Sequence, residues 1–514
     1  MWWLVGGVGG VVAALAVYDL VQKRHSILRN FPVIGHLRFL LEAVGPELRQ
    51  YIVTDNDEER PFSRDQRRWV YASAKRENNV FGFGTDNDLE TTSNYLIVKH
   101  AAFPERGPDT GDLARPPHWR VPAAKVIGEF RDRPGKFRPD SIVNISGMSF
   151  GSLSGAAVSA LNRGAQLAGC LHATGEGGVT AHHAHGGDLV WQIGTGYFGC
   201  RTATGQFDLD QFRATLDRYP TIRAIEIKLS QGAKPGLGGL LPGAKVTREI
   251  AAIRGVPAGV DCHSPATHSA FTSIDSMLDF AELLASTSGR PVGIKSAVGD
   301  LGFWQRLGDR LGEDPGRAID FIVVDGGEGG TGAAPLAFAD HVALPFKIGF
   351  SRVYREFAAR RLTDRIVFVG SGKLGFPQDA LLAFALGCDT INVGRETMLA
   401  IGCIQAQRCH TGHCPTGVAT QSRWLARGLD PTDKAVRCAQ YIETLRQEVL
   451  QLSWAAGATH PALITPDVIE FVDDRFGARS ARDVFGYDLD WGRPSATDCD
   501  AVAAMSLPPH TSMP

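Results

Sequence analysis

The chain has 514 residues, and its 53 Lys plus Arg residues nearly balance its 55 Asp plus Glu residues. The resulting net charge of −2 gives no electrostatic basis for a nucleic-acid partner, and nine cysteines in so long a chain do not form a disulfide scaffold. The length suits one large catalytic domain with added segments, since single barrels of about 250 residues are common.

The first 18 residues carry no charged side chain, and Lys23, Arg24 and Arg29 follow soon after. About 17 to 25 apolar residues suffice to cross a membrane, and basic flanks tend to stay on the cytoplasmic side. We therefore expect a transmembrane anchor over residues 1–22, a membrane-anchored protein, and a catalytic domain that faces the cytoplasm. A cleaved signal peptide is the alternative, although no basic residue precedes the apolar run. Residues 23–139 are predicted to form an extension that packs on the main domain.

From about residue 140, short apolar segments alternate with segments of helical spacing, as in parallel strands joined by helices. The predicted strands cover residues 142–146, 171–174, 224–229, 256–261, 291–295, 321–325, 366–370 and 390–394. Eight such units predict an α/β fold of the (β/α)8 TIM barrel type over residues 140–425, although a doubly wound sheet has a similar local pattern. The barrel is favoured because glycine-rich and polar residues follow nearly every strand, where a barrel mouth would gather them.

Glycine-rich loops follow the last two predicted strands, at Gly370, Ser371 and Gly372 and at Gly394 and Arg395. Glycine lets backbone amides approach an anion, and barrels commonly bind phosphate after strands seven and eight. The Arg395 guanidinium could bind two phosphate oxygens at once. The sequence therefore predicts a cofactor that carries a phosphate.

Three of the nine cysteines, Cys403, Cys409 and Cys414, lie within twelve positions. Thiolates so closely spaced are typical ligands of iron–sulfur clusters and soft metals. Zinc is an alternative, since His410 or His413 could supply a fourth ligand, and a loop with free thiols is the alternative without metal. A thiolate cluster requires a reducing compartment, in agreement with a cytoplasmic domain.

Other chemically suggestive residues are given structural roles. His182, His183 and His185 lack a known metal-ligand spacing, so helix capping or solvent contact is predicted for them. Adjacent strand residues point to opposite faces, which argues against a catalytic pair of Cys262 and His263. Helical spacing predicts a helical appendage over residues 426–492, and a tail rich in Pro, Ser and Thr predicts disorder over residues 493–514.

Several long motifs over residues 140–425 resemble the FMN-binding synthase domain of glutamate synthase, most closely the stand-alone, glutamate-synthase-like proteins with an amino-terminal membrane segment. The motifs are GMSFGSLS at 147–154, TGEGG at 174–178, IKLSQGAKPG at 227–236, EGGTGAAP at 328–335 and the cysteine segment 403–421. The resemblance implies an FMN in the barrel and a [3Fe-4S] cluster on the three cysteines. It further implies reduction of 2-iminoglutarate, from 2-oxoglutarate and ammonia, to glutamate.

Position by position, the resemblance implies roles for individual residues. Met148 and Ser149 would lie against the isoalloxazine ring, and Glu176 and Lys228 would be catalytic. The flavin side of the site, mainly its phosphate, would be held by Gly330, Thr331, Gly370, Ser371, Gly372, Gly394 and Arg395. The substrate carboxylates would be bound by Lys228, Lys234 and Arg254, since a dicarboxylate needs fixed cations. Lys295 would place positive charge near the flavin N1 and O2.

Three departures from the family pattern bear on the reaction. The chain begins Met1-Trp2-Trp3 and lacks the amino-terminal cysteine of a glutaminase domain, so we expect no use of glutamine. Leu237 and Leu240 flank two glycines where the family usually has Glu-Gly-Gly-Gln, and the lost amide would cost about 1–3 kcal/mol of substrate binding. No Gly-x-Gly-x-x-Gly follows a strand, so electrons are expected from a donor protein, such as a ferredoxin-like one, or from a quinone.

Two functions are consistent with these features. The favoured one is a membrane-anchored, FMN- and iron–sulfur-dependent oxidoreductase that reduces a small oxo-acid or imino-acid. The alternative is an electron-transfer or scaffold subunit at the membrane, which keeps both cofactors but turns over no substrate.

Overall fold

The structure is a computed structural model that describes residues 2–105 and 120–506, and the chain divides into two compact units between Arg68 and Trp69. The first unit contains helices α1 (Trp2–Val21), α2 (Ser26–Asn30) and α3 (Gly35–Leu48). Helix α4 (Arg64–Lys75) crosses the division. Within the first unit, the Asp19 carboxylate of α1 accepts hydrogen bonds from the Val33 amide at 2.8 Å and the His36 ring at 2.9 Å.

The predicted transmembrane anchor is wrong. Among residues 2–105 and 120–506, no helix is both long enough and apolar enough to span a membrane. The twenty residues of α1 include four glycines and Asp19, so the helix falls short of the roughly 20 predominantly apolar residues that a span needs. The membrane-anchored localisation and the membrane partner rested on this segment and are withdrawn with it.

Eight parallel strands close into a barrel, which confirms the predicted TIM barrel. In order around the barrel they are β2 (Val143–Ile145), β3 (His172–Ala173), β4 (Leu189–Ile193), β5 (Ile222–Lys228), β8 (Val292–Ala297), β9 (Phe321–Asp325), β10 (Val367–Ser371) and β11 (Thr390–Val393). Pairing of Val393 with Ile145 closes the ring. Ile127 and Phe137 pack with strand residues such as Ala224 in the apolar core, so the segment before β2 closes one end.

Helices and one insertion connect the strands. The barrel helices are α5 (Gly155–Ala168), α6 (Leu209–Arg218), α8 (Ile274–Ser288), α9 (Gly302–Glu313), α10 (Leu336–His341), α11 (Phe346–Ala359), α12 (Pro377–Ala385) and α13 (Arg395–Ala400). Between β5 and α8 lies the hairpin insertion, residues 229–273. It contains the two-stranded pair β6 (Leu240–Leu241) and β7 (Cys262–His263), with α7 (Arg248–Arg254) between them.

Seven of the eight predicted strands coincide with barrel strands, and one does not. Residues 256–261 lie within the hairpin insertion and follow the left-handed Gly255 that ends α7. The barrel strand that the sequence analysis missed is β4. Only a short 3₁₀ turn, Ala181–His183, lies between β3 and β4, so the expected helix that would have marked the strand is missing there.

The carboxy-terminal part packs outside the barrel. Its elements are α14 (Arg423–Ala426), α15 (Pro431–Ala455), β12 (Ile469–Val472), β13 (Ala478–Ser480), α16 (Ala481–Phe485) and α17 (Ala496–Ser506). α15 lies along α5, where Gly164 faces Cys438, and β12 pairs with β1 (Tyr95–Val98) and β13. Part of the segment predicted to be a disordered tail is thus helical, and residues 507–514 lie outside the described residues.

Candidate functional site

The carboxyl ends of the barrel strands carry most of the residues that the sequence analysis selected. Met148 and Ser149 follow β2, Glu176 follows β3, and Lys228 ends β5. Lys295 lies in β8, and the remaining glycine-rich segments follow β9, β10 and β11. Because the strands are parallel, these residues share one mouth of the barrel.

Glu176 and Lys228 form an ion pair in this mouth. The Lys228 amine lies 2.8 Å from a Glu176 carboxylate oxygen, and it also donates to the Gln231 side chain at 2.6 Å. The two charged side chains are only 18% and 11% exposed. Burial raises the pKa of Glu176, but Lys228, Lys234 and Arg254 outweigh it, so the pKa lies below its ordinary value. Glu176 is therefore an ionised carboxylate surrounded by three cations.

Lys234 and Arg254 reach this site from the hairpin insertion. The Lys234 amine donates to the Ala333 carbonyl at 3.2 Å, and burial lowers its pKa although Glu176 opposes the shift. The buried Arg254 guanidinium donates to the Phe150 carbonyl at 3.1 Å and lies over the Phe198 ring. Its Nε has no hydrogen-bond partner within the described part of the chain. The arrangement leaves donor capacity for an acidic ligand.

The loops after β9, β10 and β11 approach one another closely. Gly372 has φ +134°, a conformation that glycine adopts readily, and a side chain there would come within 3.1 Å of the Gly326 backbone. A side chain at Gly330 would lie 2.6 Å from the Arg395 side chain, which donates to the Glu328 carbonyl. Thr331 donates to the Ala333 carbonyl at 3.3 Å. The absence of side chains at Gly330 and Gly372 lets these loops approach one another as a backbone-lined cradle beside Arg395.

Next to this cradle, Ser371 and Gly394 complete the strand ends. Ser371 is buried as the last residue of β10, and Gly370 precedes it. A side chain at Gly394 would lie 3.5 Å from Ser146 and 3.9 Å from the Met148 sulfur. The loop after β2 and the loop after β11 therefore face the same space.

A buried polar network lies beneath the mouth, and most of it was not predicted. The Lys295 amine is 3.7 Å from Asp325, whose carboxylate also accepts from the Gly232 amide at 2.9 Å. Glu226 accepts a hydrogen bond from Gln192. Burial raises the pKa of Glu226, although the charge of Lys295 opposes the shift. Burial lowers the pKa of Lys295, but the charges of Asp325 and Glu226 outweigh it, so that pKa lies above its ordinary value. One sequence signal could have identified Glu226. It is a carboxyl within a strand, between Ile225 and Ile227, both of which are fully buried.

The three cysteines lie in the segment after α13, with Cys414 buried and the other two partly exposed. Burial raises the pKa of Cys414, but amides including that of Ala419 and the Thr416 side chain outweigh it, and the pKa falls below its ordinary value. Burial raises the pKa of Cys409. Within the described ranges, no three His, Cys, Asp or Glu side chains are arranged to hold a metal ion. The surroundings of Cys414 thus favour its thiolate form more than water does, but within the described residues the three sulfurs do not form a finished ligand set.

Lys245 joins this segment to the barrel, and sequence reasoning did not identify it. Its side chain is almost fully buried, and its amine donates to the carbonyls of Ser152 at 2.6 Å, Cys409 at 3.2 Å and Ala419 at 3.3 Å. Burial lowers its pKa to about 8 against the opposing effect of Cys409 and Cys414. One cation therefore connects the loop after β2 to the cysteine segment.

The histidines and the Cys262–His263 pair take structural places. The Thr180 amide donates to the His183 ring at 3.2 Å in a capping arrangement, as predicted for one member of the group. His182 lies against Phe150 and 3.2 Å from Glu249. Cys262 is buried and His263 is exposed, as expected for side chains on opposite faces of a strand.

Comparison with known proteins adds sequence relationships to this geometry. Residues 131–459 match the conserved region in glutamate synthase. The glutamate synthase large subunit-like protein YerD of Bacillus subtilis (strain 168) is 37% identical over 480 residues, which cover 87% of this chain and 90% of that protein. The archaeal glutamate synthase (NADPH) of Methanocaldococcus jannaschii is 35% identical over 321 residues, 62% of this chain and 59% of that protein. The chain thus spans less than two thirds of the archaeal relative.

Solved structures with similar folds are more distant. A mandelate oxidase with 3,3-difluoro-2-hydroxy-3-phenylpropionic acid has a TM-score of 0.42 and 16% identity, covering 75% of this chain and 87% of its own. A flavocytochrome b2 variant with sulfite bound has a TM-score of 0.43 and 12% identity, covering 88% of this chain and 89% of its own. The fold assignment rests on the closed barrel itself.

Proposed function

This chain belongs to the glutamate synthase family, and on that premise we propose that it is an FMN- and iron–sulfur-dependent oxidoreductase that reduces an oxo-acid or imino-acid. The leading case is 2-oxoglutarate plus ammonia giving glutamate. Electrons come from an external donor, which is a protein or a quinone. The proposal concerns this chain alone, because the chain matches only 59% of the archaeal relative.

One observation carries the substrate proposal: three cations surround one carboxylate at the barrel mouth. With Lys228, Lys234 and Arg254 protonated and Glu176 ionised, the group carries a net charge of +2. Such a cluster of like charges is costly in a partly buried site unless an anion joins it. A dicarboxylate of charge −2 would neutralise it, and the Arg254 fork suits two oxygens of one carboxylate.

The same residues can serve the reduction of a C=N bond. When bound and reduced by the external donor, FMN would supply the hydride for this reaction, and the imine nitrogen must take up one more proton to become an amine. Lys228 carries protons that it can donate, and Glu176 at 2.8 Å keeps its amine oriented towards the mouth. We assign Lys228 and Glu176 as the catalytic pair on this basis, with Lys234 and Arg254 holding the carboxylates.

The residues present fit an FMN. The cradle of Gly330, Thr331, Gly370–Gly372 and Gly394 would hold the FMN phosphate through backbone amides, and the Arg395 side chain lies beside Gly330. Oriented amides next to a cation are the usual setting for a phosphate. Met148 and Ser149 border the space above the strands, where they would contact the ring, and Lys295 would supply positive charge from below.

Cys403, Cys409 and Cys414 have the residue type and number that a [3Fe-4S] cluster needs, one thiolate for each iron, although within the described residues their sulfurs are not arranged as a ligand set. Amides already favour the Cys414 thiolate, and the Lys245 ammonium lies close enough to offset part of the negative charge. We propose that binding of the cluster draws the three sulfurs together.

A second function is favoured by the leucines of the hairpin insertion. Leu237 and Leu240 flank Gly238 and Gly239, and a side chain at Gly239 would lie 3.1 Å from the Glu176 carboxylate. Each leucine is 38% exposed. Neither can donate a hydrogen bond to an oxo-acid. A chain that keeps both cofactors as an electron-transfer or scaffold subunit would tolerate this change, whereas a strict 2-oxoglutarate site would lose binding energy.

The test begins with cofactor content and ends with reoxidation of the reduced flavin. Protein purified without oxygen should contain FMN and about three irons per chain. After photoreduction, 2-oxoglutarate with ammonium should restore the flavin absorbance in a stopped-flow experiment. The Arg254→Met variant should slow this step, and the matched control Lys99→Met, on the surface beside Glu470, should not. A fully loaded protein that no oxo-acid reoxidises would support the electron-transfer function instead.

A further inference from the structure

The loop after β4 contacts the hairpin insertion at several points. This loop, residues 194–201, follows the strand that the sequence analysis missed, and its Thr195 hydroxyl donates to the Pro265 carbonyl of the insertion at 2.6 Å. Two consecutive aromatic residues of the loop, Tyr197 and Phe198, are buried. Each of them contacts a part of the chain that holds a proposed substrate cation.

The Phe198 ring lies against the guanidinium of Arg254. The Arg254 Cζ is 5.0 Å from the ring centre, within the range of a cation–π interaction. Arg201 also lies over this ring, with its Cζ at 5.4 Å from the centre. Because Arg254 is only 5% exposed, its cation gains more from an aromatic face than an exposed arginine would. The ring thus orients the planar guanidinium and leaves the N–H groups at its edge able to bind a carboxylate.

Tyr197 has a backbone conformation that large side chains seldom adopt. Its φ is +49°, in the left-handed region. Its ring packs edge-on against Phe207 and Phe280, whose ring centres are 5.9 and 6.5 Å away. Its hydroxyl lies 3.0 Å from the His268 ring and accepts from the Ala270 amide at 3.0 Å. Such a conformation persists only where the surrounding contacts hold it, and here they direct the hydroxyl to the end of the hairpin insertion.

Hydrogen bonds define the tautomer of His268. Its Nε2 lies 2.9 Å from the Lys228 carbonyl, which can only accept, so Nε2 carries the hydrogen. Nδ1 therefore accepts from the Tyr197 hydroxyl. Burial lowers the pKa of His268, although the Lys228 carbonyl and the charge of Glu176 oppose the shift. The neutral ring is the form that this pattern of donors and acceptors needs.

The His268 ring joins the two ends of the hairpin insertion. Lys228 is the last residue of β5, just before the insertion, and His268 lies near the end of the insertion. The Lys228 amine is held separately, by Glu176 at 2.8 Å and by Gln231 at 2.6 Å. The contact between Tyr197 and His268 thus fixes the main chain from which the Lys228 side chain extends.

We propose that Tyr197 and Phe198 are positioning residues that orient two of the proposed substrate cations, Lys228 and Arg254. Phe198 acts directly on the Arg254 guanidinium, and Tyr197 acts on Lys228 through His268. This inference rests on the proposed function, because it needs a carboxylate ligand at these cations. Two neighbouring residues of one loop thereby set the placement of cations that come from separate segments of the chain.

The first experiment measures binding of 2-oxoglutarate to the oxidised, FMN-loaded protein from the change in flavin absorbance. Phe198→Leu keeps an apolar side chain but removes the aromatic face, so it should raise the Kd by about fivefold or more. Phe198→Tyr keeps that face and should stay within about twofold of the wild type. In the Arg254→Met background, Phe198→Leu should have no further effect, because the cation on which the ring acts is gone. An unchanged Kd in Phe198→Leu, or an equal loss in the Arg254→Met background, would overturn the role of Phe198.

The same titration tests Tyr197. Tyr197→Phe removes one hydroxyl and keeps the ring, and it should raise the Kd by about threefold or more, because His268 and Ala270 lose their shared partner. The effect should vanish in the Lys228→Met background. A loss of equal size in that background would show that Tyr197 acts on the fold in general and would overturn its positioning role.

Matched controls make the same chemical changes away from the barrel mouth. Phe137→Leu removes a ring whose centre is 4.6 Å from the Cζ of Arg223, near the amino end of β5. Tyr487→Phe removes a buried hydroxyl that donates to the Leu386 carbonyl at 2.9 Å. Both controls should bind 2-oxoglutarate as the wild type does, and losses equal to those of Phe198→Leu and Tyr197→Phe would overturn the proposal.

Hydrogen exchange measured without ligand separates this proposal from the function on which it rests. Tyr197→Phe and Phe198→Leu should both exchange faster than the wild type in the hairpin insertion and at the wild-type rate in α15. Faster exchange in a protein that binds no dicarboxylate, even as the wild type, would refute the proposed substrate and support the hold of the loop on the insertion. Wild-type exchange and wild-type affinity in both variants would refute the positioning role alone.

Discussion

Replacing Lys228 with methionine tests whether the cation cluster binds the substrate. The change keeps the length of the side chain and removes the charge that lies 2.8 Å from Glu176. An exposed pair would contribute about 0–1 kcal/mol, but with exposures of 11% and 18% this pair belongs near the buried regime, where loss of one partner costs about 3–5 kcal/mol. Without the positive charge of Lys228, Glu176 would repel an incoming substrate carboxylate more strongly.

A hydrogen bond from Lys228 to a substrate carboxylate is worth about 1.5–3 kcal/mol, so at 1.4 kcal/mol for each factor of ten, binding of 2-oxoglutarate should weaken by roughly 10- to 100-fold. The dissociation constant can be read from the change in flavin absorbance when the oxidised protein is titrated, without any turnover. Lys228→Arg should recover part of the affinity, and Lys99→Met should change nothing. An affinity within threefold of the wild type would mean that the carboxylates bind elsewhere, and the reasoning from the net charge of +2 would fail.

Four further outcomes are expected. Arg395→Ala should raise the Kd for FMN by roughly 10- to 100-fold in a fluorescence titration of the apoprotein, because a charged contact to phosphate is lost. Cys409→Ser should abolish the spin signal of the cluster while flavin content stays normal, and an intact cluster would contradict the ligand assignment. Lys245→Met should speed hydrogen exchange in residues 409–419 by at least about tenfold, since it removes three hydrogen bonds to carbonyls. Burial lowers the pKa of His172 to about 3, so the histidine stays neutral in the folded state while it can be protonated in the unfolded state. The stabilisation of the fold that His172 contributes is therefore complete above pH 6.5 and is lost as the pH falls towards 3. His172→Leu should therefore remove about 2 kcal/mol of the stability loss between pH 6.5 and pH 5, as measured by denaturant titration.

The barrel could be predicted where strands and helices alternate, because that alternation leaves a regular pattern of apolar residues. The prediction of strands failed at β4, because β3 and β4 are joined by a 3₁₀ turn and the expected helix between them is missing. It also failed at residues 256–261, where an apolar run follows α7 without joining the sheet. At the amino terminus, counting uncharged residues overestimated the hydrophobicity of α1, because glycine is uncharged but not strongly apolar.

The site could be predicted where loops carry local motifs, and not where partners come from distant segments. Glu176 and Lys228 lie 52 positions apart in sequence, yet each stands in a recognisable motif. Lys245 contacts three carbonyl oxygens from two separate segments, the loop after β2 and the cysteine segment, and backbone oxygens leave no trace in sequence. Glu226 and Gln192 face each other from neighbouring strands, a relation that depends on the register of β4, the strand that was missed.

The hairpin insertion carries proposed substrate contacts, whereas the proposed phosphate contacts lie in other loops of the barrel. Lys234, Arg254 and both leucines belong to this one excursion of the chain, whereas the cradle beside Arg395 is built by loops of the opposite strands. Under the proposed roles, changes within this single stretch of about forty-five residues would alter the substrate contacts of Lys234 and Arg254 without altering the loops that would hold FMN. The same division offers a practical graft: exchanging residues 229–273 between relatives should transfer substrate preference as a cassette.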